Sequence, residues 1–501
     1  MKDQIKDRVK IEQKKYNKKK INSLFIKQCI DLYEYGDGLL YSVLMKDESI
    51  YNADSKEWYF FNGNYWELDK HFRYLSNVEK VALKYLSEIN KLNEKKQKIK
   101  KKDTISLAAI DKEISFLLKR AQSLRTYNKR NNCINFALSN LDSRISVDAD
   151  IFDQNPFLVA CKNCVINLRT KEIINGLPSQ YITKAANCNY NKNAETSVFE
   201  KWIETVLDYN TEKIAFVKRV LGSCLIGKTV EQKLFVFYGR GRNGKGTLLE
   251  LLLEIVGSLG SPIKSELLLD QKNSSSSQPT PEIMALKGLR IALASETDEG
   301  RKFSVAKVKW LTGGDTLTGR YPHDKREVAF KPSHSLLLMT NNKPRVNVDE
   351  YAFWQRLILI CFPLSFVDHE PKHDFERRQD KELFEKLLKS KEGILKWLID
   401  GAFEYLEQGL NIPECIRKEV DEYKNEEDFI KEFIDNCCYE SEFASVQATE
   451  IYDSFYEWYK KNISKYVPKQ KKFGSYLTQR FEKTKNNGYY YYHGIALNTD
   501  L

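Results

Sequence analysis

The chain has 501 residues, 42% of them apolar, with a formal charge of +11 and ten cysteines. That much apolar sequence builds roughly two to four domains and excludes a largely disordered protein. Ten cysteines in such a length are not a disulfide framework. The start is charged without an apolar signal core, and no apolar run approaches membrane-spanning length, so a cytoplasmic, reducing setting without membrane contact is expected.

The positive charge is clustered. Residues 1–20, 91–103 and 460–485 carry +6, +5 and +8, which leaves the remainder at −8. Such runs suit a polyanionic partner such as nucleic acid, although solvated helix faces give the same pattern.

In chain order, residues 1–25 read as a lysine-rich helical or frayed lead. In "YNADSKEWYFFNGNYWE" (51–67) an Asn-Gly pair among aromatics predicts a β-hairpin, with Trp58, Tyr59, Phe60, Tyr65 and Trp66 packing a small core. Residues 76–142 read as charged helices. From Ile145 the pattern returns to short strands and turns. Asp148 and Asp150 lack the further acids and basic partners of a polymerising site. Cys161 and Cys164 form a lone CxxC without the two extra ligands that zinc needs, so they read as strand or turn cysteines. Residues 196–228 predict amphipathic helices. Residues 233–365 alternate apolar strands with helices, which implies a mainly parallel sheet. Within them Ser274–Ser277 sit in a polar loop, and Thr280 is placed to cap a helix with Pro281 in its first turn. Residues 380–435 are helical, with Cys437 and Cys438 as helix-core residues. The tail reads as helix, basic loop, a second helix through "KFGSYLTQRFEK", and an aromatic hairpin turning at Asn486–Gly488.

"KLFVFYGRGRNGKGTLLELLLEIV" (233–256) carries the clearest chemistry. An apolar strand runs into a loop where Gly239, Gly241 and Gly244 let the backbone curl its N–H groups toward phosphate oxygens. A helix starting near Lys245 turns its positive dipole end to the same anion, and Lys245 reaches the β- and γ-phosphates. Gly239, Gly241, Asn243, Gly244, Lys245, Gly246 and Thr247 form the expected ATP cradle. The magnesium-binding hydroxyl that should follow the lysine is missing, because Gly246 stands there. Thr247 lies one residue on, about 100° around the helix, and takes that role in this reading. Downstream, the apolar strand Ile291–Ala294 ends in Ser295-Glu296. Glu296 is placed to orient the attacking water or hold magnesium, with Asp298 in reserve and a solvated acidic turn as the plain alternative.

The next stretch has Lys309 before Leu311-Thr-Gly-Gly-Asp315, then Arg320 and a candidate hairpin over Tyr321–Val328. An apolar strand follows, ending in Thr340-Asn341 with Pro344 nearby, and Trp354-Gln355-Arg356 shortly precedes Phe362-Pro363. This ordered series resembles the superfamily III helicases of the AAA+ class, in particular the phage, plasmid and poxvirus primase-helicase group. "NCVINLRTKE" (163–172) resembles a further segment of that family, departing from it at Cys164 and Asn167. No primase motif is visible, so the helicase part alone is expected.

The resemblance implies an α/β fold: an AAA+ P-loop core (191–375), an N-terminal α+β domain (1–190), a helical lid (376–435) and a winged-helix-like DNA-binding domain (436–501). It implies an ATP- and Mg2+-dependent DNA helicase, assembled as a homo-oligomeric ring, most simply a hexamer, on single-stranded and forked DNA. A phage or mobile element in a bacterial or virus-infected cell is the implied setting, with a separate primase or polymerase as a candidate partner. Asn341 would sense the γ-phosphate, and Arg356 would complete the neighbouring subunit's site. His323, Lys325 and Arg326 would grip DNA in the pore, and Lys469, Lys471, Lys472 and Arg480 would bind it in the tail. Two rival functions remain from the sequence, an origin-binding replication initiator and a P-loop kinase. The kinase leaves the Gly-Gly-Asp segment, the basic hairpin and Arg356 unexplained.

Overall fold

Asn62-Gly63 does turn a hairpin. Asn62 Oδ1 accepts from the N–H groups of Asn64 and Tyr65, and Gly63 takes φ +107°. The computed structural model that shows this describes residues 21–100, 103–139, 145–270, 280–295, 302–322, 326–344, 346, 350–426, 428–463 and 467–498, with the backbone alone at 425, 426, 472, 475 and 479. The lead 1–20, Ser274–Ser277, Glu296, Asp298, His323 and Lys325 lie outside the described residues. The chain divides into two units, residues 1–192 with 255–259, and residues 193–254 with 260–501.

The first unit opens with helices α1 (Ser23–Asp31) and α2 (Tyr33–Leu44). Strands β1 (Ser49–Asn52), β2 (Glu57–Phe61) and β3 (Trp66–Leu68) follow, then helices α3 (Arg73–Ser76), α4 (Val78–Lys98), α5 (Thr104–Ser123) and α6 (Tyr127–Ser139), and strand β4 (Ser146–Val147). The sheet order is β3-β2-β1-β4, with β4 parallel to β1. Trp58 and Trp66 are buried, and Trp58 stacks on Tyr74 with ring centres 4.8 Å apart. Tyr59, Phe60 and Tyr65 are half-buried. Strands β5 (Leu158–Ala160), β6 (Val165–Asn167) and β7 (Glu172–Ile174) make a separate antiparallel sheet. Cys161 and Cys164 close the β5–β6 turn as buried free thiols. No group of three or more metal-ligating side chains occurs among the described residues.

The second unit begins with helices α7 (Ser197–Val206) and α8 (Thr211–Ser223). Then come strand β8 (Leu234–Tyr238), helix α9 (Lys245–Val256), strand β9 (Gly260–Ile263), the short helix α10 (Pro281–Met284), strand β10 (Ile291–Ser295) and helix α11 (Val305–Thr312). The hairpin strands β11 (Leu317–Gly319) and β12 (Val328–Phe330) precede β13 (Ser335–Thr340), helix α12 (Tyr351–Trp354) and β14 (Leu357–Cys361). Their five-stranded sheet runs β14-β8-β13-β10-β9, every pair parallel. Near-continuous apolar runs such as "LFVFY" and "LILIC" explain this, since a parallel sheet is buried on both faces. Leu234, Val236, Ala292, Leu336, Leu338, Leu357 and Leu359 anchor the core.

Beyond the sheet lie strands β15 (Ser365–Val367) and β16 (Glu376–Arg378) and helices α13 (Leu383–Lys389), α14 (Lys391–Gln408), α15 (Glu414–Glu426) and α16 (Phe429–Cys437). Helices α8 and α14 meet through glycines. A Cβ on Gly222 would stand 2.2 Å from the Ala402 nitrogen, and one on Gly401 would stand 2.3 Å from the Lys218 carbonyl oxygen. The tail adds strand β17 (Cys438–Gln447), helices α17 (Ala448–Asn462) and α18 (Gln470–Arg480), and strands β18 (Glu482–Asn486) and β19 (Tyr489–Leu497), in sheet order β17-β19-β18. Phe433, Phe455, Phe473, Leu477 and Tyr492 fill its core.

Three local expectations are corrected. Thr280 stands at the N-terminus of α10 but makes no side-chain cap; its hydroxyl accepts from the Arg320 N–H at 3.0 Å, tying the short helix to the hairpin instead. Cys438 opens β17 rather than lying in a helix, because the backbone turns extended there and pairs with Leu497; Cys437, the last helical residue, is half-buried. The tail's second helix stops at Arg480, since Glu482 onward pairs with β19.

Candidate nucleotide site

β8 delivers the chain to the C-terminal edge of the sheet, where the loop 239–244 turns it into α9. Gly241 and Gly244 take φ +99° and +85°, values that suit glycine, and Arg242 joins them at +46°. Gly244 also faces Val206 of α7, where a Cβ would meet a methyl at 3.0 Å. Helix α9 begins at Lys245, so its unpaired N–H groups open on the loop.

Lys245 is only 2% exposed. Its ammonium donates to Gly239 O at 2.8 Å, Asn243 Oδ1 at 2.9 Å and Asn341 Oδ1 at 3.1 Å. Burial pulls its pKa down to about 8, as expected of a cation taken out of water without a carboxylate partner. Asn341 arrives by topology. β13 lies between β8 and β10, so the residue following it stands beside the phosphate loop. A cleft of about 270 Å³ results, lined by 241–247 and Met339, Thr340 and Asn341.

Gly246 and Thr247 both line this cleft. A Cβ built on Gly246 meets nothing within 4 Å, so space does not exclude a side chain there. β10 runs parallel to β13 toward the same edge and ends at Ser295, one residue before Glu296.

Arg356 is not brought to Lys245. It precedes β14, whose first residue pairs with Leu234 at the start of β8, so it lies at the opposite end of the strands. Its guanidinium donates to Ala352 O at 3.0 Å and to Gln232 Oε1 at 3.4 Å, while Nε is buried without a partner among the described residues. Gln232 in turn donates from Nε2 to Gly313 O at 3.1 Å, which links Arg356 to the Leu-Thr-Gly-Gly-Asp turn. No sequence signal marks Gln232. Arg242 in the loop and Lys343 were also missed. Lys343 holds its ammonium 5.0 Å from the Tyr238 ring centre and 5.2 Å from that of Tyr423 on α15.

Of the expected nucleic-acid residues, Arg326 is exposed in the loop between β11 and β12. Lys469 directly precedes α18, Lys471 is exposed on its first turn, and Lys472 has only its backbone described. Arg480 forms an exposed ion pair with Glu440 at 2.8 Å, of the kind that contributes little and exchanges readily.

Residues 38–208 match the family model "D5 N terminal like". The chain is 26% identical over 475 residues to "Putative helicase L207/L206" of Acanthamoeba polyphaga mimivirus, covering 89% of this chain and 47% of that protein. It is 25% identical over 346 residues to "Putative helicase 121R" of Invertebrate iridescent virus 3, covering 63% of this chain and 36% of that one. "Putative helicase V13" of Sputnik virophage is 26% identical over 198 residues, 38% of this chain and 25% of its own length. The chain thus spans less than half the length of these curated relatives. Among solved structures, the C-terminal region of NrS-1 overlaps 72% of this chain and 89% of its own at 14% identity, with a TM-score of 0.40. Among the described residues no helix is long and apolar enough to cross a membrane.

Proposed function

We propose that this chain is a superfamily III primase-helicase relative acting as an ATP-dependent, ring-forming DNA helicase in viral or mobile-element replication, a reading supported by its match to the "D5 N terminal like" model and to viral proteins named putative helicases. The observation that carries the reading is the meeting of Lys245 and Asn341 over one cleft at the C-terminal edge of a parallel sheet. A buried ammonium, loop N–H groups and a helix N-terminus converge there, which suits the phosphates of ATP. On this reading the chain consists, in sequence order, of an N-terminal α+β domain (1–190), an AAA+ core (191–375), a helical lid (376–435) and a winged-helix-like tail (436–501).

Magnesium, when bound, would neutralise the phosphate oxygens, with Thr247, Glu296 and Asp298 as the candidate holders. Lys245 leaves Asn341 to meet the phosphates. Asn341, released, presents its amide to the γ-phosphate or to water, and Glu296 prepares that water. Arg356 stands at the opposite end of the strands from its own chain's cleft, which supports the reading that it serves a neighbouring copy. That requirement is why hydrolysis would depend on assembly. His323, Lys325 and Arg326 hold the phosphate backbone of single-stranded DNA in the ring, without reading bases. Lys469, Lys471, Lys472 and Arg480 bind the fork's duplex.

The test is steady-state ATP hydrolysis by the full chain with and without single-stranded DNA, paired with unwinding of a forked duplex. The reading predicts stimulation and unwinding, both lost in Lys245→Ala. Hydrolysis indifferent to DNA, with transfer of phosphate to a small acceptor, would overturn it.

A further inference from the structure

The tail's terminal hairpin exposes aromatic rings that its own core does not use. Asn486 pairs with Tyr489 across the two-residue turn Asn487-Gly488, whose φ values of +46° and +87° fit the tight turn that matches strand twist. Tyr489 and Tyr490, immediately after this turn, are 58% and 49% exposed. Two positions further on, Tyr492 is buried and donates its O–H to Gly474 O of α18 at 3.1 Å, so the base of the hairpin is anchored while its tip projects.

The register sorts the tip into two faces. Lys483 opposes Tyr492 and Lys485 opposes Tyr490 on one, while Tyr489 and Tyr491 lie on the other. The Lys483 ammonium sits 4.6 Å from the Tyr490 ring centre and that of Lys485 sits 5.6 Å away. One exposed ring is thus flanked by two cations, and a second ring stands free on the reverse side of a stiff turn. Glu482 is the one acid in residues 460–485, against nine basic residues. At the tip itself Lys483 and Lys485 supply the positive charge, which repels a cationic partner and attracts a polyanion. Lysines alone would suffice for a duplex backbone. Exposed ring faces add value only where base faces are open to stack on them, as in an unpaired strand.

We propose that the β18–β19 tip is a single-strand site, in which Tyr489 and Tyr490 stack on unpaired bases while Lys483 and Lys485 hold the flanking phosphates. The proposal rests on the helicase reading and gives the tail a second task beyond duplex binding: to hold a strand once its bases are apart.

The experiment uses the full chain and a fluorescein-labelled oligothymidylate, with anisotropy titrations over a range of salt. A second oligonucleotide carries an adenine analogue whose fluorescence is quenched by stacking. Tyr489→Ala/Tyr490→Ala is expected to weaken binding about tenfold or more and to abolish the quench, with the salt dependence unchanged. Tyr489→Phe/Tyr490→Phe is expected to bind like the parent. Lys483→Ala/Lys485→Ala is expected to make the slope of log affinity against log salt shallower by about 1.4. These side chains are exposed, and thermal melts of the Phe and Lys pairs show whether the tail is intact. Parent-like affinity and quench in the Tyr→Ala pair would overturn the proposal. If affinity and quench are parent-like in that pair while ATP hydrolysis is still faster with single-stranded DNA, the hairpin inference alone fails. If the parent itself shows no such stimulation, the helicase reading fails.

Discussion

The ammonium of Lys245 donates a hydrogen bond to Asn341 Oδ1 at 3.1 Å, joining the first residue of α9 to the residue that follows β13. Both residues line the cleft and each occupies the other's polar group, so a phosphate bound there would compete with Asn341 for the lysine. Removing Asn341 should therefore separate binding from chemistry. Lys245 keeps Gly239 O and Asn243, so Asn341→Ala should change nucleotide affinity by less than about tenfold while hydrolysis drops by ~10²-fold. Titration with a fluorescent ATP analogue and single-turnover hydrolysis measure the two quantities separately.

Burial pulls Lys245 down to about 8, and that sets a pH dependence. Phosphate needs the charged lysine. Nucleotide affinity should thus be constant below about pH 8 and fall by up to ~10-fold per pH unit above it, until the phosphate-bound lysine also titrates. Stability moves the other way. The unfolded chain keeps this proton up to its ordinary range near 10.5, so between about 8 and 10.5 the unfolded state binds more protons and this residue's contribution to stability rises with pH. Affinity measured from pH 7 to pH 10 at fixed ionic strength checks the first statement.

The empty space at Gly246 gives a gain-of-function prediction. A Cβ there meets nothing within 4 Å, and glycine within a helix costs roughly 0.5–1 kcal/mol against alanine. Gly246→Ser should fold at least as stably as the parent and lower the magnesium concentration needed for half-maximal hydrolysis. Thr247→Ala should raise that concentration in the natural background, and Gly246→Ser should rescue it. Normal magnesium dependence in Thr247→Ala would remove Thr247 from the metal's surroundings.

The seam between α8 and α14 depends on glycine for distance. Gly222→Ala and Gly401→Ala each force a methyl to within 2.2 and 2.3 Å of backbone atoms. Each should cost roughly 1–3 kcal/mol or more, read as a lower urea midpoint, with nucleotide affinity at the cleft unchanged in the protein that stays folded.

Much of this fold was legible because period and punctuation agreed. The Asn62-Gly63 turn, the apolar runs of β8, β13 and β14, and the glycine loop before Lys245 all carry their own local reasons. The proximity of Asn341 to Lys245 was expected from the resemblance and follows physically from β13 lying beside β8. What stayed hidden depends on partners distant in sequence. Thr280 looked like a cap, but Arg320, forty positions later, takes its hydroxyl. Gln232 has no motif around it, and its link between Arg356 and Gly313 exists only once three separate segments converge. Cys438 follows a helical pattern and becomes a strand because Leu497 pairs with it.

The central claim is that one chain's cleft is completed by another chain's arginine. The direct measurement is ATP hydrolysis by a mixture of Lys245→Ala and Arg356→Ala proteins, each confirmed as folded. The account predicts that each is inactive alone, with Arg356→Ala still binding nucleotide and losing ~10³-fold or more in rate. It predicts that the mixture regains activity at seams pairing an intact Lys245 with an intact Arg356. Parent-like hydrolysis by Arg356→Ala alone, with no gain on mixing, would contradict it.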